Sequence, residues 1–171
     1  DLMRHHEGLI ALSGGHKGNV YHLLAKRRLD EAIREIQTLR KIFNGDFFLE
    51  LQHFTPEQAI VNLRLRDLSA EYKVPLVATN DVHFIAIRDW SLRRTMHAID
   101  ANTVLDKVDT AGSSEQYFKP AGMMQELFKS FVTALGNTLH IAEMCHFEFR
   151  LGKAVFPSIE LPEKETAFSY L

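Results

Sequence analysis

The chain has 171 residues, of which 46% are hydrophobic and 25% charged, the size and balance of an ordinary globular domain. Disorder, collagen and coiled coil are excluded as descriptions of the whole, and no run of about 18 apolar residues is present to span a membrane as a helix. Twenty Lys+Arg stand against 22 Asp+Glu, a formal net charge of −2, so the basic excess of a lone duplex-binding domain is absent.

The opening residues DLMRHHEG lack the apolar core of a signal peptide. The single cysteine, Cys145, rules out an internal disulfide framework and a Cys-rich zinc knuckle. A reducing, cytoplasmic setting is the expectation. The start on Asp1 and the stop within the apolar phrase AFSYL suggest a piece of something longer.

In chain order, Leu9–Ser13 is a short apolar run closed by Gly14-Gly15, the pattern of a buried strand entering a tight turn. A helical stretch follows around Val20 to Ala25. Asp30 is a good N-cap for a helix whose apolar residues Ala32, Ile36, Leu39 and Phe43 share one face, and Asn44-Gly45 stops it. Phe47–Leu51 reads as a second strand. At the next helix start Thr55 caps, Pro56 takes the first helical position and Gln58 the third, with Val61, Leu65, Leu68 and Tyr72 as the core stripe. The third strand is Val74–Thr79, running into Asn80-Asp81-Val82-His83-Phe84.

A helix from about Asp89 to Ile99 carries Leu92, Met96 and Ile99 on one face. Asp100 to Ser114 is polar and turn-rich, and Gln116–Phe118 fits a short edge strand. Helices are expected over 121–128 and 131–145, the second pointing Val132, Leu135, Leu139 and Ala142 inward. The tail from Phe147, with Pro157 and Pro162, reads as extended. Strand–helix alternation over the first two-thirds argues for a parallel α/β sheet or part of a (β/α) barrel, with a mainly helical final third.

Chemistry concentrates at Asp81-Val82-His83. In extended backbone, residues i and i+2 project to the same side, so carboxylate and imidazole converge. They follow a buried strand, the edge where parallel α/β folds build sites. One oxygen and one nitrogen donor suit Zn²⁺, Mn²⁺ or Fe²⁺, although two ligands alone do not hold a metal. The alternative is that Asp81 caps a turn and His83 packs against Phe84 and Trp90. Glu50, at a strand end, is a further ligand or base candidate; otherwise it is a solvated residue or a partner for Arg64 or Arg66. Gly14-Gly15-His16-Lys17-Gly18 could cradle a phosphate or form a tight turn that needs positive φ, and it lacks P-loop spacing. His16 is the residue in that turn able to reach a metal or phosphate. His5 and His6 read as surface residues, and no histidine pair has the i, i+4 spacing of a helical metal site. Cys145 reads as a buried apolar residue rather than a nucleophile.

The phrases GLIALSGGHKGNV, FFLELQ, VPLVATNDVHF and ALGNTLHIAEMCHFEF, in this order and spacing, resemble the PHP domain that opens bacterial replicative DNA polymerase III α subunits. The resemblance covers nearly the whole chain. It implies a distorted (β/α)7 barrel related to metal-dependent phosphoesterases, with ligands at the C-terminal ends of the strands. The family's early H-x-H motif has no counterpart, so the expectation is a partial barrel without its N-terminal strands. That predicts exposed sheet edges and self-association. Residues 1–150 would be the later part of the domain and 151–171 a linker toward the polymerase region.

By the same resemblance, Asp81 and His83 match the late D-x-H metal pair. Gly15 falls where metal-binding members carry a cysteine ligand, so one ligand is lost, and His16 is the neighbour placed to substitute. The resemblance implies a DNA-directed DNA polymerase parent that uses Mg²⁺ and engages DNA, a proofreading exonuclease subunit and other replicase subunits, with no membrane. The domain itself would be a docking platform, with or without metal-dependent (Zn or Mn) 3′–5′ exonuclease or phosphoesterase activity. The alternative is a free-standing PHP phosphatase of the histidinol-phosphate phosphatase type.

Overall fold

The computed structural model describes residues 1–108 and 112–149, with 151, 152, 154 and 168. Its centre is a parallel three-stranded sheet in the order β1-β2-β3, where β1 is Ala11–Leu12, β2 Phe47–Leu51 and β3 Leu76–Ala78. Ala11 pairs with Phe47, and Leu49 with Leu76. Strands joined in parallel need crossover helices. Between β1 and β2 these are α1 (Asn19–Ala25) and α2 (Leu29–Phe43), and between β2 and β3 it is α3 (Pro56–Tyr72). This is the α/β alternation read from the sequence; the described strands make a small open sheet.

The core forms because β2 is apolar on both faces. Phe47, Leu49 and Leu51 are buried, with Ala32, Ile36 and Phe43 of α2 and Val61, Leu65 and Leu68 of α3 packed around them. These are the residues the helical spacing selects. α3 begins as the sequence predicts. Gln58 Oε1 accepts the backbone N–H groups of Phe54 and Thr55 at 2.7 and 3.1 Å, which satisfies donors that a helix start leaves open. For α2 the expected N-cap Asp30 lies inside the first turn. The cap position is Arg28, whose guanidinium bridges to Glu31 at 2.5 Å.

The later helices are α4 (Trp90–Asp100), α5 (Ala121–Leu127) and α6 (Val132–Met144). Here the spacing misleads. Leu92, Met96 and Ile99 do share a face of α4, but that face is 60–69% exposed, and only Ala98 of this helix is buried. In α6 the expected inward set fails: Val132 and Leu139 are each 70% exposed, Ala142 is exposed, and Leu135 alone reaches the core. The helix is turned so that polar residues meet the open edge of β3. Asn137 Nδ2 donates to the Leu76 carbonyl at 2.7 Å, and Thr138 Oγ1 to that of Ala78 at 3.2 Å. An unpaired strand edge exposes strong acceptors, and these two side chains satisfy them.

The segment Gln116–Phe118 is not a strand but makes one parallel bridge, Phe84 to Tyr117. Cys145 is exposed, not buried, because it lies just past the end of α6. His6 is half-buried, edge-on to Phe43 at 6.4 Å between ring centres. Among the described residues no helix is long and apolar enough to cross a membrane. The expected extended tail around Pro157 and Pro162 lies outside the described residues, and with it most of 151–171.

Candidate functional site

The three strands end on one rim, and each delivers polar residues to it. β1 runs into Ser13 and the turn Gly14–Lys17, β2 ends at Glu50, Leu51 and Gln52, and β3 leads to Thr79, Asn80 and Asp81. Ser13 Oγ accepts the Glu50 backbone N–H at 2.9 Å, which ties the first two strand ends together. The rim has two hubs.

One hub is the Gln52 amide, a buried group. Its Oε1 accepts both the backbone N–H of His16 at 2.9 Å and the His16 ring Nδ1–H at 2.8 Å. Its Nε2 donates to Glu50 Oε1 at 3.1 Å and Thr79 Oγ1 at 3.3 Å. Thr79 Oγ1 in turn donates to the same Glu50 oxygen at 2.5 Å. Glu50 therefore partners neither Arg64, which donates to the Leu24 carbonyl, nor Arg66, which pairs with Asp67. His16 also lies edge-on to Phe54 at 4.9 Å between ring centres.

The other hub is Asp81 Oδ2. It receives Gln116 Nε2 at 2.7 Å, Lys17 Nζ at 3.1 Å and His83 Nε2 at 3.2 Å, with His16 Nδ1 further off at 3.9 Å. Asp81 sits at φ 45°, a left-handed conformation that turns its carboxylate onto the rim. Burial pushes its carboxyl up, but the Lys17 ammonium and the His83 ring outweigh that and hold it below the usual carboxylate range. The convergence of Asp81 and His83 expected from the i, i+2 spacing is present. Among the described residues His83 forms no ring pair with Phe84, which lies tilted by 43° against Trp90 with ring centres 5.8 Å apart.

The outer wall is the strap 115–119. Asn80 Nδ2 holds it by donating to the carbonyls of Glu115 and Tyr117 at 2.9 and 2.7 Å. Lys119, with a side chain 1% exposed, lies under it. Its ammonium meets the Glu115 carboxylate at 3.2 Å, the Glu115 carbonyl, and the face of Tyr117 at 4.4 Å. A buried ammonium is tolerated only when neutralised and hydrogen-bonded in this way. The strap fixes Gln116, whose Oε1 accepts the Ser113 N–H at 2.7 Å. Sequence reading passed over Lys17, Gln52, Thr79 and Gln116. Gln52, Thr79 and Gln116 are uncharged and carry no periodic or motif signal, and Lys17, although it lies in the turn the sequence singles out, meets Asp81 only through a contact far apart in the chain.

The turn after β1 is a tight turn. It is a three-residue 3-10 segment, Gly15–Lys17, with Gly14 at φ 85° and Gly15 at φ 49°. The His16 N–H that could face an anion is already given to Gln52.

The donor types at the rim are those of a Zn or Mn site, yet they do not fit one as arranged. Among the described residues no group of three His, Cys, Asp or Glu side chains is placed to hold a metal ion. His83 Nε2 points its N–H at Asp81, whereas a ligand needs a lone pair there. Glu50 Oε1 is bonded to Thr79 and Gln52, and Asp81 Oδ2 is met by a resident ammonium.

Comparison with known proteins adds the relationship. The family described as PHP domain matches residues 1–54. A DNA polymerase III subunit alpha of Borreliella burgdorferi is 36% identical over 100% of this chain and 15% of its own length. That of Caulobacter vibrioides is 35% identical over 92% of this chain and 14% of its own length. An error-prone DNA polymerase of Symbiobacterium thermophilum is 32% identical over 96% of this chain and 16% of its own length. The chain thus spans about 15% of the length of the curated relatives it matches.

Proposed function

We propose, from its similarity to the PHP family and to bacterial DNA polymerase III α subunits, that the chain is the PHP region of such a polymerase and acts there as a structural and docking platform rather than as a catalytic centre. Similarity along nearly the whole chain to a small share of much larger polymerases carries the first half of this reading. The rim carries the second half. It joins three strand ends through hydrogen bonds and ion pairs that engage Glu50 Oε1, Asp81 Oδ2 and the whole Gln52 amide.

In this reading the full protein is a DNA-directed DNA polymerase working on primed DNA in the cytoplasm with Mg²⁺. Its partners are other replicase subunits, including a proofreading exonuclease. The near-neutral surface, with a net charge of −2, suits protein docking better than a grip on the phosphate backbone.

A second reading is metal-dependent phosphodiester hydrolysis at the same rim, as a 3′–5′ exonuclease. The convergence of His83, His16 and Asp81 favours it. One experiment separates the two. The full-length polypeptide and its Asp81→Asn, His83→Ala variant are given a primed template with nucleotides and Mg²⁺, and separately single-stranded DNA with Zn²⁺ or Mn²⁺. The platform reading expects primer extension and no degradation that the double variant abolishes. Failure to extend a primer would sink the polymerase assignment, and degradation lost in the variant would establish the second reading.

A further inference from the structure

Resting on the platform reading, we propose that Lys17 and Gln52 together occupy the place and perform the task of a divalent metal at the strand rim, which makes this PHP region metal-independent. A metal among carboxylates and imidazoles does two things. It neutralises the carboxylates, and it holds side chains from separate strands in one geometry. Both tasks are done here by protein groups.

Neutralisation falls to Lys17. Its ammonium lies 3.1 Å from Asp81 Oδ2, and the same oxygen takes a ring N–H from His83 and an amide N–H from Gln116. An entering divalent ion would meet a positive charge at the carboxylate it needs and would have to strip three donors from one oxygen.

Holding the strand ends together falls to Gln52. An amide offers an acceptor with two lone pairs and two N–H donors, and here all four positions are used. Oε1 receives His16 twice, and Nε2 reaches Glu50 and Thr79. The β1 turn, the β2 end and the β3 end are thereby joined through one side chain. One oxygen of the Glu50 carboxylate, Oε1, which could otherwise face a metal, is bound to Gln52 and Thr79.

Gly15 is the third part of the arrangement. A Cβ added there would run into the Gln52 amide, and the residue stands at φ 49°, where side chains are strained. Absence of a side chain at 15 and presence of the amide at 52 are one geometric fact. A side-chain ligand at position 15 would have to push the Gln52 amide out of its present place.

The test measures metal binding and thermal stability of the full-length chain, not its catalysis. Wild type, Lys17→Met and Gln52→Ala are titrated with Zn²⁺ alone and with Mn²⁺ alone, and melted in chelator and in added metal. Lys17 is 62% exposed, so Lys17→Met is expected to fold. The wild type should bind no stoichiometric metal, and its melting midpoint should be the same in chelator and in Zn²⁺. Lys17→Met should lower the midpoint in chelator. It should also bind Zn²⁺ about fivefold more tightly than wild type, the effect of removing one adjacent, solvent-screened positive charge. The gain should vanish when Asp81→Asn is added.

Stoichiometric Zn²⁺ or Mn²⁺ in the wild type, lost in Asp81→Asn, would overturn the inference. So would a Lys17→Met protein with wild-type midpoint and wild-type metal affinity. Gln52→Ala melting like wild type in chelator would remove the amide from the scheme and overturn it in that part. The outcome is separable from the polymerase assignment: a metal-free wild type that fails to extend primers would sink the assignment and leave this inference standing.

Discussion

α3 and α4 carry apolar residues at the same helical spacing, yet the two stripes end in opposite places. Val61, Leu65 and Leu68 of α3 are buried against β2, whereas Leu92, Met96 and Ile99 of α4 face outward. The difference lies in position along the fold. α3 is the crossover between two paired parallel strands, so the chain must return over the sheet and the helix must cover it. α4 follows the last strand of the sheet and makes its main contacts with the short turns on either side. Nothing in the connectivity obliges it to lie on the sheet. An apolar stripe therefore shows which face a helix would bury, and the topology decides whether a surface is there to receive it.

The largest effect that would sharpen this contrast is Leu65→Ala. Leu65 is 2% exposed, and truncation at such a site should cost about 2–5 kcal/mol in urea unfolding. A loss below about 1 kcal/mol would mean that the α3 stripe is not the core. Next comes Asn137→Ala, which strips the Leu76 carbonyl of its donor on the β3 edge. A loss of about 1–2 kcal/mol is expected by the same measurement, and no loss would show that α6 does not seal that edge.

The third effect is a pH dependence. The folded-state carboxyl of Asp81 titrates below its ordinary 3.8. Its contribution is present in full above that pH and is lost as the pH falls through the depressed folded value. Melting midpoints of wild type and Asp81→Asn should converge as the pH drops below the usual aspartate range. Curves that stay parallel would mean that Lys17 and His83 do not stabilise the charged form.

The smallest effect is expected on α4. Leu92→Ser and Met96→Ser should each change stability by no more than about 0.5 kcal/mol. A cost near that of Leu65→Ala would show that the α4 face is covered.

Some of the rim is written in the sequence. The i, i+2 relation of Asp81 and His83 and the position of Glu50 at a strand end are local, and both reach the rim as local rules require. Gln52 and Gln116 are not legible in this way. Their roles follow from reaching His16, 36 positions away, and Asp81, 35 positions away, and amides give no warning in hydropathy. Thr79 and Lys17 belong with them, as does the buried Lys119, whose charge reads as a surface residue until the strap closes over it.

The sequence by itself determined the order of strands and helices, the capped start of α3, the apolar β2 and the residues that α2 and α3 turn toward it. All of these rest on interactions within a few residues or on a strict period. Tertiary structure alone decided that α4 would present its apolar stripe outward. It also decided that α6 would meet β3 with Asn137 and Thr138, and that an ammonium and an amide would stand among the carboxylates and imidazoles of the rim. The first was settled by whether the topology put a surface against the helix, the other two by which distant backbone groups and charges were left unsatisfied once the sheet had formed. That demand arises from the assembled fold and leaves no mark on the local pattern.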